Sequence, residues 1–141
     1  AGGQNLDLNF ENKKKKFQEI IKMQRKKTGK LFSFCCSAVG HIAGKTKREI
    51  KSLSVMGEEI GLLFQLADDF LDIKGNTKST GKIVNKDKKK GKSTIINLVG
   101  YEYAYKYANN LKNKILRNLE KHGKKAEDLN EIINFILDRK H

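Results

Sequence analysis

Gln65, Asp68, Asp69 and Asp72 stand at i, i+3, i+4 and i+7 within the apolar run Ile60 to Ile73. On a helix all four share one face. Three carboxylates clustered against hydrophobic residues repel one another and lose hydration, a costly arrangement unless positive charge meets them. A hard divalent cation with oxygen ligands, Mg²⁺ carrying a phosphate, is the natural complement. The bland alternative is a solvated acidic patch or an N-cap run. It fits poorly, because Leu62, Leu63, Phe64, Leu66, Phe70, Leu71 and Ile73 surround the acids, and a helix apolar on all sides is a buried one. The stripe continues through Gly61 towards Glu58, which suggests a narrow path for a ligand.

Basic residues follow closely. Gly81-Lys82 and Gly91-Lys92-Ser93 invite a P-loop reading, but the positions five residues before each glycine hold Asn76 and Lys86, and no buried strand precedes either. What remains is a Lys/Gly-rich loop carrying ammonium groups near the acids, and lysines act as point charges for phosphate oxygens. Lys88, Lys89 and Lys90 are read as solvated. His41, His122 and His141 have no metal-ligand spacing, and Tyr101, Tyr103, Tyr105 and Tyr107 spread over more than one helix face, which suits packing.

The elements that must hold these groups are helical. A helical pattern runs from Lys13 through Phe17, Ile20, Ile21 and Met23, kinks at Lys27-Thr28-Gly29, and resumes with Leu31, Phe32, Phe34, Cys35, Ala38, Val39 and Ile42. A long helix, about Thr46 to Ile73, carries the acidic stripe. Residues Lys74 to Gly91 read as a loop, with Ser93 or Thr94 capping a short helix over Ile95–Val99. Two further helices are expected, about Tyr101 to His122, ended by Gly123, and about Ala126 to Arg139, burying Leu129, Ile132, Ile133, Phe135, Ile136 and Leu137.

The 141 residues suffice for one domain, and the formal net charge of +14 calls for an anionic partner. A nucleic-acid role is disfavoured: of the 30 basic residues only Arg25, Arg48, Arg117 and Arg139 are arginines, whereas base recognition favours Arg forks and aromatic stacking surfaces. Cys35 and Cys36 are adjacent and point roughly 100° apart on a helix, so buried free thiols in a reducing compartment are expected. Ala1-Gly2-Gly3-Gln4 does not resemble a secretory leader, and no apolar stretch approaches a membrane span. A soluble cytoplasmic protein is expected, or an organellar one if a targeting segment has been lost.

Taken in order, these motifs resemble the C-terminal half of the trans-polyprenyl diphosphate synthases, the family of farnesyl and geranylgeranyl diphosphate synthases. Gly2-Gly3-Gln4…Asp7 resembles the family's GGQxxD segment, and Lys27-Thr28-Gly29 its KTG kink. Phe64-Gln65-x-x-Asp68-Asp69-x-x-Asp72 resembles its second aspartate-rich motif. Gly81-Lys82, Asp87 and Gly91-Lys92-Ser93-Thr94 follow its downstream GKxxxxDxxxGK(S/T) pattern. Each motif alone is weak; their order along the whole chain is specific. The resemblance implies an all-α isoprenoid synthase fold, here about five C-terminal helices with the long Lys/Gly-rich loop after the Asp-rich helix, and residues 1–141 as the C-terminal half of one domain. It further implies a prenyltransferase of isoprenoid biosynthesis that condenses an allylic diphosphate with isopentenyl diphosphate, with Mg²⁺ assisting ionisation of the allylic diphosphate, and a homodimeric complete enzyme.

By position, the resemblance makes Asp68, Asp69 and Asp72 the metal ligands, directly or through water. Lys27, Lys82 and, more weakly, Lys92 hold diphosphate, while Thr28 and Gln65 steady the developing cation. Arg139 and Lys140 resemble a basic tail that closes over isopentenyl diphosphate, and Gln4 and Asp7 stand behind the ligands. The family's first aspartate-rich motif and N-terminal basic pocket have no counterpart here, and Asn76 replaces an acid often found at its position. A fragment, or one chain of a two-chain enzyme, inactive alone, is therefore expected. The competing readings are a non-catalytic regulatory subunit of a prenyl synthase, a terpene cyclase and a basic nucleic-acid-binding helical module.

Overall fold

Phe17, Ile20 and Ile21 recur at helical spacing, and the Glu19 carboxylate accepts the Lys16 backbone N–H at 2.9 Å, starting helix α1 (Phe17–Gln24). In this computed structural model residues 16–139 are described apart from 81–93, with the backbone alone for residues 74–80. Arg25–Gly29 then widens into a π turn, the kind of single-turn bulge that inserts a residue into a helix without ending it. The expected kink at Lys27-Thr28-Gly29 is therefore a bulge, and helix α2 (Lys30–Ile42) continues from it.

Thr46 starts the long helix α3 (Lys47–Thr80). Its hydroxyl accepts the Glu49 N–H at 3.3 Å, and the Glu49 carboxylate accepts the Thr46 N–H at 2.9 Å, a reciprocal cap. The Thr46 hydroxyl also donates to the Glu49 carboxylate at 2.7 Å, and this bond, followed by that from the Thr46 N–H, holds the Glu49 carboxyl below its ordinary range. The helix spans 34 residues, about 50 Å. It passes through Lys74 to Thr80, where a loop was expected, because lysine is a competent helix former and polarity alone does not end a helix. The remainder of that expected loop lies outside the described residues.

Thr94 caps helix α4 (Ile95–Val99), its hydroxyl accepting the Asn97 N–H at 3.1 Å. Helix α5 (Tyr101–Glu120) lays down Ala104, Ala108, Leu111, Ile115 and Leu119, all buried. A short 3-10 turn at Gly123–Ala126, entered with Gly123 at φ +55°, leads to helix α6 (Glu127–Asp138). Every described element is a helix or a turn, so the expected all-α architecture holds among the described residues.

Leu62, Leu63 and Leu66 in the middle of α3 are fully buried, and Ile20, Ile95, Ile115, Leu119 and Ile133 complete the centre of the core. Each such side chain contributes about 1.5–3 kcal/mol relative to remaining exposed. The tyrosines divide as their spacing implies: Tyr101 and Tyr105 pack on Phe70, Tyr103 and Tyr107 on Phe17. Two residues expected inside α6 are not there, Ile132 being 56% and Phe135 64% exposed. An apolar stripe that covers more than half a helix cannot be wholly buried by contacts on one side.

Helix α2 runs antiparallel to α3 and departs most from its sequence pattern. Its inward face is made of small residues: Gly29 and Gly40 are buried, and Ser33, also buried, lies with its hydroxyl 2.8 Å from that of Ser54. A Cβ on Gly57 would fall 2.5 Å from the Phe32 carbonyl oxygen, and one on Gly61 would fall 2.7 Å from the Gly29 Cα. The two backbones thus touch, and Leu31, Phe34, Val39 and Ile42 are left outside. Cys35 is exposed and Cys36 half-buried, both free, which corrects the expectation of buried thiols. Burial raises the Cys36 thiol above its ordinary range, and neighbouring Cys35 adds to the shift. The supposed ligand path at Gly61 is likewise closed by Gly29, and Glu58 pairs with Lys30.

Gly57→Ala gains about 1 kcal/mol of helix propensity but drives a methyl group into backbone, an overpacking cost of about 1–3 kcal/mol. A net loss of stability is expected in urea unfolding; a stabilised variant would show that the helices are not in backbone contact. Thiol labelling at pH 8 should modify Cys35 first, with Cys36 catching up only as the pH rises through its elevated pKa.

Candidate functional site

The π turn delivers α1 and Thr28 to the acidic face of α3. Thr28 Oγ1 donates to Gln65 Oε1 at 3.1 Å. Gln65 Nε2 in turn donates to Asp69 Oδ1 at 3.2 Å, and Gln24 Nε2 donates to Asp69 Oδ2 at 3.1 Å. Residue 24 meets 69 and residue 28 meets 65, the ladder expected of antiparallel segments stepping four residues at a time. Each donor settles the orientation of the next group: the Thr28 hydroxyl turns the Gln65 carbonyl towards itself, so the Gln65 amino group faces the carboxylate.

Asp68 is met differently. Arg139, just beyond the end of α6, donates Nη2 to Asp68 Oδ1, and its guanidinium lies 4.4 Å above the Phe64 ring. Phe64 packs in turn on Phe32 of α2, with ring centroids 5.9 Å apart. The Arg139 side chain is mostly buried while Asp68 remains nearly half exposed. Arg139, expected as part of a substrate-closing tail, here places a cation on the carboxylate expected to bind metal. Adjacent acids thus meet different groups, Asp68 the guanidinium of Arg139 and Asp69 the amides of Gln24 and Gln65.

The acidic stripe does lie on one face, as its spacing requires, but α3 is not apolar on all sides. Gln65, Asp68 and Asp69 are half-buried and Asp72 is exposed, while Leu62, Leu63, Leu66 and Phe70 fill the opposite side. The acids therefore rim the core and keep part of their hydration. Lys27 is exposed on the π turn beside Thr28. Lys82, Lys92 and Lys140, expected to bind diphosphate, and Gln4 and Asp7, expected behind the ligands, lie outside the described residues.

Among the described residues no three His, Cys, Asp or Glu side chains converge to hold a metal ion by themselves. The donor chemistry nonetheless suits Mg²⁺. This ion usually takes one or two carboxylates and fills its remaining positions with water and phosphate oxygens, in contrast to an all-protein cage. Asp68, with a guanidinium on one oxygen, shows that the rim accepts positive charge.

Gln24 escaped the sequence reading. It is buried, only 3% exposed, and its Nε2 is bound to Asp69, whereas its Oε1 is buried without a hydrogen-bond partner. The available signal was a lone amide at the end of an apolar helical face, four residues before Thr28.

Comparison with known proteins places the chain in a family. The family model described as Polyprenyl synthetase matches residues 1–136. Farnesyl diphosphate synthase of Micrococcus luteus is 30% identical over 137 residues, which cover 97% of this chain and 47% of that enzyme. A crystal structure of an FPP/GFPP synthase from Zymomonas mobilis superposes with a TM-score of 0.78 at 31% identity, covering 96% of this chain and 44% of that one. Geranyltransferase from Helicobacter pylori, solved in complex with magnesium and isoprenyl diphosphate, superposes with a TM-score of 0.73 at 30% identity, covering 96% and 45%. The chain belongs to the polyprenyl synthetase family. It spans about half the length of the curated relatives it matches.

Arg139→Gln removes the ion pair and the ring contact together. A loss of about 1 kcal/mol is expected, measurable by urea unfolding and smaller at high salt. No change in stability would mean that the pair is not formed in solution.

Proposed function

We propose that this chain supplies one wall of a Mg²⁺-dependent prenyltransferase site that condenses an allylic diphosphate with isopentenyl diphosphate. The observation that carries the reading is the Thr28–Gln65 hydrogen bond, which joins two motifs far apart in sequence into a single polar ladder beside the acids. Family membership supports it, as does the magnesium and isoprenyl diphosphate bound by the Helicobacter pylori relative.

On this reading Asp68, Asp69 and Asp72 would hold Mg²⁺ together with diphosphate oxygens. When bound, the ion offsets the charge that develops on the leaving diphosphate. Lys27, and with it Lys82 and Lys92, binds the diphosphate as point charges. Thr28 and Gln65 present oxygen dipoles to the allylic cation; their mutual hydrogen bond holds them in place before reaction, which is what makes such electrostatic stabilisation effective. Arg139, with Lys140, would bind the diphosphate of the second substrate. The double bond of isopentenyl diphosphate attacks the allylic cation to form the new carbon–carbon bond, and the resulting cation loses a proton, with released pyrophosphate as its acceptor, to restore a double bond. The same reading carries a homodimeric complete enzyme in the cytoplasm.

The wall needs facing carboxylates to close the site. This chain alone is therefore expected to give no steady prenyl transfer when incubated with both diphosphates and Mg²⁺; sustained turnover would overturn that part. Mg²⁺-dependent binding of a non-hydrolysable bisphosphonate is expected to persist and to weaken at least tenfold in Asp68→Ala. Equal binding by the variant would remove the site assignment.

A further inference from the structure

Gln24 is the polar side chain of the ladder that sits deepest. A buried amide is costly unless its donors and acceptor are met. Here the donor side is used, on Asp69 Oδ2 at 3.1 Å, and the acceptor side is not, Oε1 being buried without a hydrogen-bond partner. The amide cannot be reversed to relieve this, because its carbonyl would then face the carboxylate oxygen. An apolar residue of the same size would pack in this place without an orphaned atom. Among the described residues, the one hydrogen bond of the Gln24 side chain is to the carboxylate of Asp69.

Asp69 is therefore gripped from two helices. Gln65 lies one turn away on α3 and holds Oδ1; Gln24 comes from α1 and holds Oδ2. The second, from a separate element, adds a restraint across helices and ties the acid to the position of the π turn that carries Lys27 and Thr28. Outer hydrogen bonds of this type orient metal-ligating carboxylates.

We infer that Gln24 is a positioning residue of the site, acting through Asp69 by fixing the plane of its carboxylate. This rests on the reading of the acidic rim as a divalent-cation site, and it adds a residue to that site on a helix with no acidic motif.

The test uses the whole chain and Mn²⁺ alone, followed by loss of the free-ion EPR signal. Gln24→Met is expected to weaken Mn²⁺ binding about tenfold while leaving the melting temperature unchanged or higher, since the orphaned oxygen goes too. Gln24→Glu, which sets a like charge against Asp69, is expected to weaken binding more than Met does. In an Asp69→Asn background Gln24→Met should have no further effect. An unchanged affinity in Gln24→Met, or the same loss in the Asp69→Asn background, overturns the inference. A metal-free arm separates it from the parent reading: the Gln24 side-chain amide protons, seen by ¹⁵N NMR, should exchange slowly in the wild type and quickly in Asp69→Ala. If wild type fails to bind Mn²⁺ but this difference appears, the cation reading falls and the Gln24–Asp69 grip stands. If exchange is equally fast in both, the grip is absent.

Discussion

Backbone contact between α2 and α3 is the constraint on which the site depends. Without side chains at Gly29, Gly57 and Gly61 the two helices approach until carbonyl and Cα atoms touch. That closeness leaves Thr28 within a single hydrogen bond of Gln65. A pair of helices spaced by ordinary side chains, 8–10 Å between axes, would stand too far apart for a threonine hydroxyl to reach. The glycines serve geometry here, and the polar ladder is its consequence.

The same contact explains the uneven burial of α2. Large apolar groups cannot occupy a face where backbones meet, so Phe34, Leu31, Val39 and Ile42 stay outside while Ser33 and Gly40 go in. Electrostatics at the far end follows from the opposite condition. Asp68 and Asp69 are neighbours in sequence but point in different directions from α3, and each finds what its own side offers. Arg139 arrives from α6 on one side, Gln24 and Gln65 lie on the other.

Much of this was legible in the chain. The helix starts at Thr46 and Thr94 follow from capping chemistry, the stripe on α5 from its period, and the acidic face of α3 from the i, i+3, i+4, i+7 spacing. The burial of α2 was not legible, because its hydrophobic stripe is real but unfilled among the described residues, and periodicity reports only that a face exists. The exposed thiol of Cys35 was missed for the same reason. Gln24 was missed because one amide in an apolar pattern carries no spacing. Arg139 was noticed, but its partner lies 71 residues away and no local rule pairs them.

The sequence by itself determined the helical elements, the clustering of three acids on one face of a helix, and the family to which the chain belongs. Each is set by short-range spacing or by the order of motifs, and these survive without coordinates. Only the tertiary structure decided which small residues permit two helices to touch, that Asp68 meets an arginine while Asp69 meets two amides, and that Gln24 reaches the acidic rim. Those outcomes depend on how separate helices approach in space, and a linear pattern carries no record of the distance between them.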